Sequence, residues 1–160
     1  MNEILVCKKI IVDVNTQLDN ILALRQNYVK KVDDSFVSEG DILVQDIILD
    51  IINKELPNHI LISEELAPFD NMKFEKNSSY VVLDPIDGTE NFISGLREWG
   101  VGVSIYTGGK HQASLIFLPE LQEYLYTGMT ITRYNSRIIG LSSSLNKNDL
   151  SSLPDEGYEF

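Results

Sequence analysis

Two aspartates three residues apart, Asp84 and Asp87, end the apolar run in "VVLDPIDGTENF", and Glu64 follows a second apolar run, "HILIS". If the two runs are neighbouring strands, three carboxylates converge at one edge of a sheet. Bare carboxylates ~4 Å apart repel by roughly 1 kcal/mol in water and about 4 kcal/mol at the effective dielectric of a protein surface. Such a cluster either protonates or takes a cation. Every candidate ligand is an oxygen, so the natural guest is a hard cation, Mg²⁺ or Mn²⁺. An EF-hand is excluded, because counting back from Gly88 puts its first acid at Leu83. The competing reading is a solvated turn, since Pro85 and Asp87-Gly88 are good turn formers. Spacing alone leaves the two readings open.

"DGTENF" adds a second kind of chemistry. Gly88 lets a backbone approach a ligand closely, and Thr89 falls at a helix start, where free N–H groups favour anions. A metal beside such N–H groups suits a phosphate ester, because the ion polarises the phosphoryl group and acidifies a bound water. Thr89 also reads as a plain helix cap. Asp41 is ambiguous in the same way. With Ser38 it forms the S-x-x-D pattern of a capping box, yet its carboxylate could instead orient the Thr89 hydroxyl. Other candidates are weaker. "TGGK" at 107–110 lacks P-loop spacing and reads as a hairpin turn. His59 and His111 stand singly, and Phe92 and Trp99 read as core aromatics.

These residues need elements to hold them. Cys7, Ile11, Val14, Leu18 and Ile21 recur at spacings of three and four, which predicts one amphipathic helix over 3–29. "KKVDDSFVSEGD" reads as a polar loop. A second helix starts near Ser38, buries Val44, Ile47, Ile48, Ile51 and Ile52, and ends at Pro57. Strands are predicted over 59–63 and 79–84, then a short helix in "TENFISGL" that Gly95 helps to end. "GVGVSIYT" and "QASLIFLP" flank the "GGKH" turn, and "EYLYTG" continues the meander. "LAPFDNMKFEKNSS" reads as a loop or short helix. From Ser136 the chain reads as strand-like, then as a serine-rich helix or loop.

The 160 residues, 43% of them hydrophobic, suffice for one globular domain with a core, or one domain plus a stub. A net charge of −11 argues against nucleic acid and anionic membranes as partners. Cys7 is the sole cysteine, which excludes an internal disulfide and suits a reducing, cytoplasmic setting. Residues 1–14 are broken by Glu3, Lys8, Lys9 and Asp13 and read neither as a secretory leader nor as a membrane span.

"DPIDGTENF" resembles the D-P-(I/L)-D-G-T-x-N-F signature of the inositol monophosphatase family, Mg²⁺-dependent, lithium-sensitive phosphatases related to fructose-1,6-bisphosphatase. "FVSEGD" resembles its V-T-x-A-D segment, with Ser38 and Gly40 for threonine and alanine. "PNHILISEE" resembles P-x-H-x-(I/L)-x-G-E-E, with Ser63 for glycine. The resemblance implies an α+β layered fold of the inositol monophosphatase/fructose-bisphosphatase type, whose N-terminal half packs helices on a mostly antiparallel sheet. It implies metal ligation by Glu64, Asp84, the Ile86 carbonyl and Asp87, with two or three Mg²⁺ (or Mn²⁺) ions in the intact site. Gly88 and Thr89 would bind the substrate phosphate. Asp41, Thr89 and Glu64 would serve catalysis by preparing the attacking water, and Lys30 falls where the family has a lysine near the site.

The implied substrate is a small phosphorylated polyol or sugar, inositol 1-phosphate first. Fructose 1,6-bisphosphate, adenosine bisphosphate and histidinol phosphate are the family's other options. The implied assembly is a homodimer. The family continues into a second α/β domain with a W-D-x-A-(A/G)-G motif. Here the one tryptophan, Trp99, precedes Gly100, so residues 1–160 read as the N-terminal metal- and phosphate-binding domain with the second domain missing. A different class, a non-catalytic remnant that binds metal and phosphate, is the alternative.

Overall fold

A computed structural model describes residues 3–66, 75 and 77–130. The expected first helix is two. α1 spans Glu3–Thr16 and α2 spans Leu18–Ala23. The Thr16 hydroxyl donates back to the Val12 carbonyl at 2.8 Å, and Gln17 turns out of the helical region at φ −101°, ψ 7°. A back-bonding threonine bends a helix, and Asn15 and Thr16 are weak helix formers. The apolar stripe survives the break, with Val6, Cys7, Ile10, Val14 and Ile21 fully buried.

The expected polar loop is a small hairpin. β1 (Tyr28–Lys30) pairs antiparallel with β2 (Phe36–Ser38). Tyr28 and Phe36 meet edge to face at 5.7 Å, and Asp33 accepts from both the N–H and the hydroxyl of Ser35. Asp34 supplies the left-handed residue that closes the turn, at φ 71°. α3 (Glu39–Glu55) follows with Ser38 as its cap; Val44, Ile48, Ile51 and Ile52 form its buried stripe as expected, while Ile47 is only partly buried against it.

One five-stranded sheet runs in the order β3 (Ile60–Ser63), β4 (Tyr80–Asp87), β5 (Gly100–Thr107), β6 (Lys110–Leu118), β7 (Glu123–Tyr126). β3 and β4 are parallel and every other pair is antiparallel, which is the mostly antiparallel sheet expected. Alternate residues Val81, Leu83, Val101, Val103, Ile105, Ala113, Leu115 and Phe117 join the stripes of α1 and α3 in one core. Each Val, Leu, Ile or Phe buried there contributes roughly 1.5–3 kcal/mol. Period two then sends Val82 and Asp84 of β4 to the other face. So the strand that anchors the core also carries Asp84 away from it. α4 (Thr89–Ile93) is the short helix expected after the signature aspartates. Among the described residues no helix is long and apolar enough to cross a membrane. The predicted elements after Ser136, and most of "LAPFDNMKFEKNSS", lie outside the described residues.

Candidate functional site

The parallel pairing of β3 and β4 brings the acids together. Ser63 lies opposite Leu83, and the Glu64 N–H donates to the Leu83 carbonyl at 3.2 Å. Glu64 and Asp84 are therefore side by side at the strand ends. Burial, then the charges of Glu64, Asp87 and Asp41, then a hydrogen bond with Glu64 push the Asp84 carboxyl up to about 7. Without a cation, Asp84 relieves that repulsion by keeping its own proton to higher pH than a free carboxyl does. Asp87 stands beyond a register shift in β4 and is exposed. Among the described residues no three acidic, histidine or cysteine side chains close into a ready metal cage. The donor set fits a hard cation in kind, centred on the Glu64–Asp84 pair.

Asp41 resolves its two readings by using both oxygens. It is 1% exposed. Oδ2 accepts the Ser38 N–H at 2.8 Å and the Ser38 hydroxyl at 2.6 Å, while Ser38 Oγ accepts the N–H groups of Gly40 and Asp41. Oδ1 faces the Thr89 hydroxyl at 3.3 Å. That hydroxyl also lies 3.0 Å from the Ile86 carbonyl, the same carbonyl expected as a metal ligand. Burial pushes the Asp41 carboxyl up, and the bonds from Ser38 and then Thr89 pull it back. Ser38→Ala removes both the cap and the anchor of Asp41. It is expected to cost about 1 kcal/mol in a denaturation titration, and a variant as stable as wild type would refute the anchoring.

Gly88 sits at φ 85° and opens α4, which places Thr89 in its first turn. The lysine assignment needs correction. Lys30 pairs with Asp34 in solvent, whereas Lys31 Nζ lies 2.7 Å from Glu65 and 3.8 Å from Glu64. Burial lowers the Lys31 ammonium's pKa, but the bond and charge of Glu65, with Glu64 and Asp41 behind it, hold it above its usual value.

The sequence reading missed two supports. Glu65, with a side chain only 7% exposed, is the first, and the doublets "KK" and "EE" were its only trace. The second is the wedge formed by Phe92. Its ring fills the space over Gly40, where a Cβ would stand 2.8 Å from ring carbons. Trp99 holds it edge to face and the Arg25 guanidinium lies over its face. Glu120 in turn accepts from Arg25 and from Trp99 Nε1.

The model of the inositol monophosphatase family matches residues 6–153. The chain belongs to that family. A fructose-1,6-bisphosphatase/inositol-1-monophosphatase of Thermotoga maritima is 33% identical over 90 residues, 56% of this chain and 33% of the relative. The 3'(2'),5'-bisphosphate nucleotidase CysQ of Salmonella typhimurium is 30% identical over 99 residues, 62% of this chain and 40% of that protein. The Nus factor SuhB of Pasteurella multocida is 28% identical over 104 residues, 65% and 37% of the two chains. Among solved structures, a staphylococcal inositol monophosphatase-1 superposes with TM-score 0.67 at 18% identity, over 78% of this chain and 46% of that one. The suhB protein of Bartonella henselae gives 0.66 at 24%, over 79% and 49%. This chain thus has the inositol monophosphatase fold and spans between a third and a half of those relatives' length.

Proposed function

We propose that this chain is the N-terminal, metal- and phosphate-binding part of a Mg²⁺-dependent phosphomonoesterase acting on a small polyol or sugar phosphate, inositol 1-phosphate first. The observation that carries the reading is the Glu64–Asp84 pair, set side by side at the ends of adjacent parallel strands that lead to the Thr89–Asp41 contact. Family members are phosphatases, and one structural relative (TM-score 0.60, 22% identity) is an IMPase/NADP phosphatase complexed with Mg²⁺ and phosphate.

Glu64, Asp84, the Ile86 carbonyl and Asp87 would hold Mg²⁺ or Mn²⁺, which supplies Lewis-acid polarisation of the phosphoryl group. The backbone N–H groups at Gly88 and Thr89 orient the phosphate. Thr89 Oγ1 receives the proton of the attacking water as its own passes to Asp41 Oδ1. Asp41 can do this because Ser38 fixes its other oxygen. The net charge of −11 supports a small-molecule substrate over nucleic acid, and we place the working protein in the cytoplasm as a homodimer. The second reading is a module that binds a cation and phosphate without turnover.

Phosphate release from inositol 1-phosphate during Mg²⁺ titration decides between them. Mg²⁺-dependent release lost in Asp84→Asn supports the enzyme. Mn²⁺ binding without release supports the module. Release that survives Asp84→Asn refutes the metal assignment.

A further inference from the structure

The two consecutive glutamates after β3 have opposite surroundings. The Glu64 side chain is half exposed and lies against Asp84, while the Glu65 side chain is nearly buried and ends on Lys31. Lys31 arrives at the end of the β1–β2 hairpin's first strand, from outside the main sheet. Its ammonium hydrogen-bonds Glu65 at 2.7 Å and makes only a longer ion pair with Glu64, at 3.8 Å, beyond hydrogen-bond range. One cation thus stands between two carboxylates, bonding Glu65 directly and Glu64 by charge alone.

We propose that Lys31 is a positioning residue that apportions the two glutamates: it pins Glu65 outside the cation site by a hydrogen bond and leaves the more loosely paired Glu64 available as a ligand. The inference rests on the metal-binding reading above. It follows from what each partner does alone. Without Lys31, Glu65 is a nearly buried carboxylate with no counter-charge beside the cation seat, and such a group turns to whatever cation is near. Without the Glu65 charge, the Lys31 ammonium is released toward Glu64 and competes with the divalent ion for it. The two deletions therefore act on cation affinity with opposite signs, which a loss of folding alone does not produce.

The test is Mn²⁺ binding to the full chain at neutral pH, followed by electron paramagnetic resonance of the free ion. Lys31→Met is expected to tighten binding by roughly tenfold or to add a second ion, the order of effect of one partly screened charge a few ångströms away. Glu65→Gln is expected to weaken binding by a similar factor. Lys31→Arg keeps the wild-type affinity, and Lys31→Met with Glu65→Gln, which leaves no charge at either position, returns near it. Should Lys31→Met fold poorly, Glu65→Gln and the double variant carry the test. Variants that shift affinity in the same direction, or not at all, overturn the role of Lys31 while leaving the metal site standing. A wild-type chain that binds no Mn²⁺ overturns both.

Discussion

Asp84→Asn is expected to make the cation-free chain more stable at neutral pH and to abolish its divalent-cation binding. The first effect follows from the raised carboxyl. In the folded chain Asp84 titrates at about 7, against about 3.9 when unfolded. Between those values the folded state holds a proton that the unfolded state has released, so stability falls as pH rises. The contribution is fully present below the unfolded value and is lost once pH has passed through about 7. Because the site lies at the solvent edge, the loss at neutral pH is about 1–2 kcal/mol rather than the full linkage value.

An amide at position 84 carries no charge to repel Glu64, Asp87 and Asp41, so the variant keeps that stability at every pH. The second effect has the opposite sign. On the metal-binding reading a divalent ion would take the deprotonated pair, so wild-type affinity should rise with pH through about 7, and the amide would remove the central ligand. Urea titrations of both chains below and above neutrality, with and without Mn²⁺, check all of this. An Asn variant that is less stable than wild type at neutral pH, or that is still stabilised by Mn²⁺, would refute it.

That prediction uses parts of the site that were legible in one dimension. Asp84, Asp87, Gly88 and Thr89 are local to one strand, turn and helix, and turn chemistry and alternation describe such a segment well. The Ser38–Asp41 capping box was legible for the same reason. The bend at Gln17 was not, because a hydroxyl bonding back to a carbonyl leaves no glycine or proline as a mark. The β1–β2 hairpin was hidden by its three-residue strands and by Asp34, rather than glycine, in the left-handed position. Choosing Lys31 over Lys30 needed the register of that hairpin, since a shift of one residue reverses the face. The pairing of β3 beside β4 could be posed from the sequence only as a condition. It joins segments about twenty residues apart, and the register is what makes Glu64 and Asp84 neighbours.

Gly88→Ala is expected to cost more stability than the same change at Gly95 and, alone of the two, to abolish phosphate binding. Both glycines occupy nearly the same left-handed conformation, at φ 85° and 84°. An L-residue there pays about 1–2 kcal/mol for its backbone alone. At Gly95 a Cβ would meet nothing within 4 Å, so that conformational term is the whole expected cost. At Gly88 the Cβ would stand 3.3 Å from the Glu98 carbonyl oxygen and 3.7 Å from Asn91 Nδ2 and Trp99 Cα. Those neighbours cannot yield separately, because Asn91 Nδ2 donates to that same Glu98 carbonyl at 2.7 Å and Trp99 is 2% exposed.

The contact therefore adds about 1 kcal/mol or more to the strain, and thermal denaturation of the two variants reads the difference directly. Relief by rotating the backbone at position 88 would swing Thr89 away from Asp41, where its hydroxyl is already at 3.3 Å, and would turn the N–H groups of the α4 start out of line. Inorganic phosphate binding in the presence of Mn²⁺ should then disappear in Gly88→Ala and persist in Gly95→Ala at a temperature where both are folded. Equal destabilisation by the two changes would show that the Glu98 carbonyl does not confine position 88. Retained phosphate binding in a folded Gly88→Ala chain would remove the α4 start from the site.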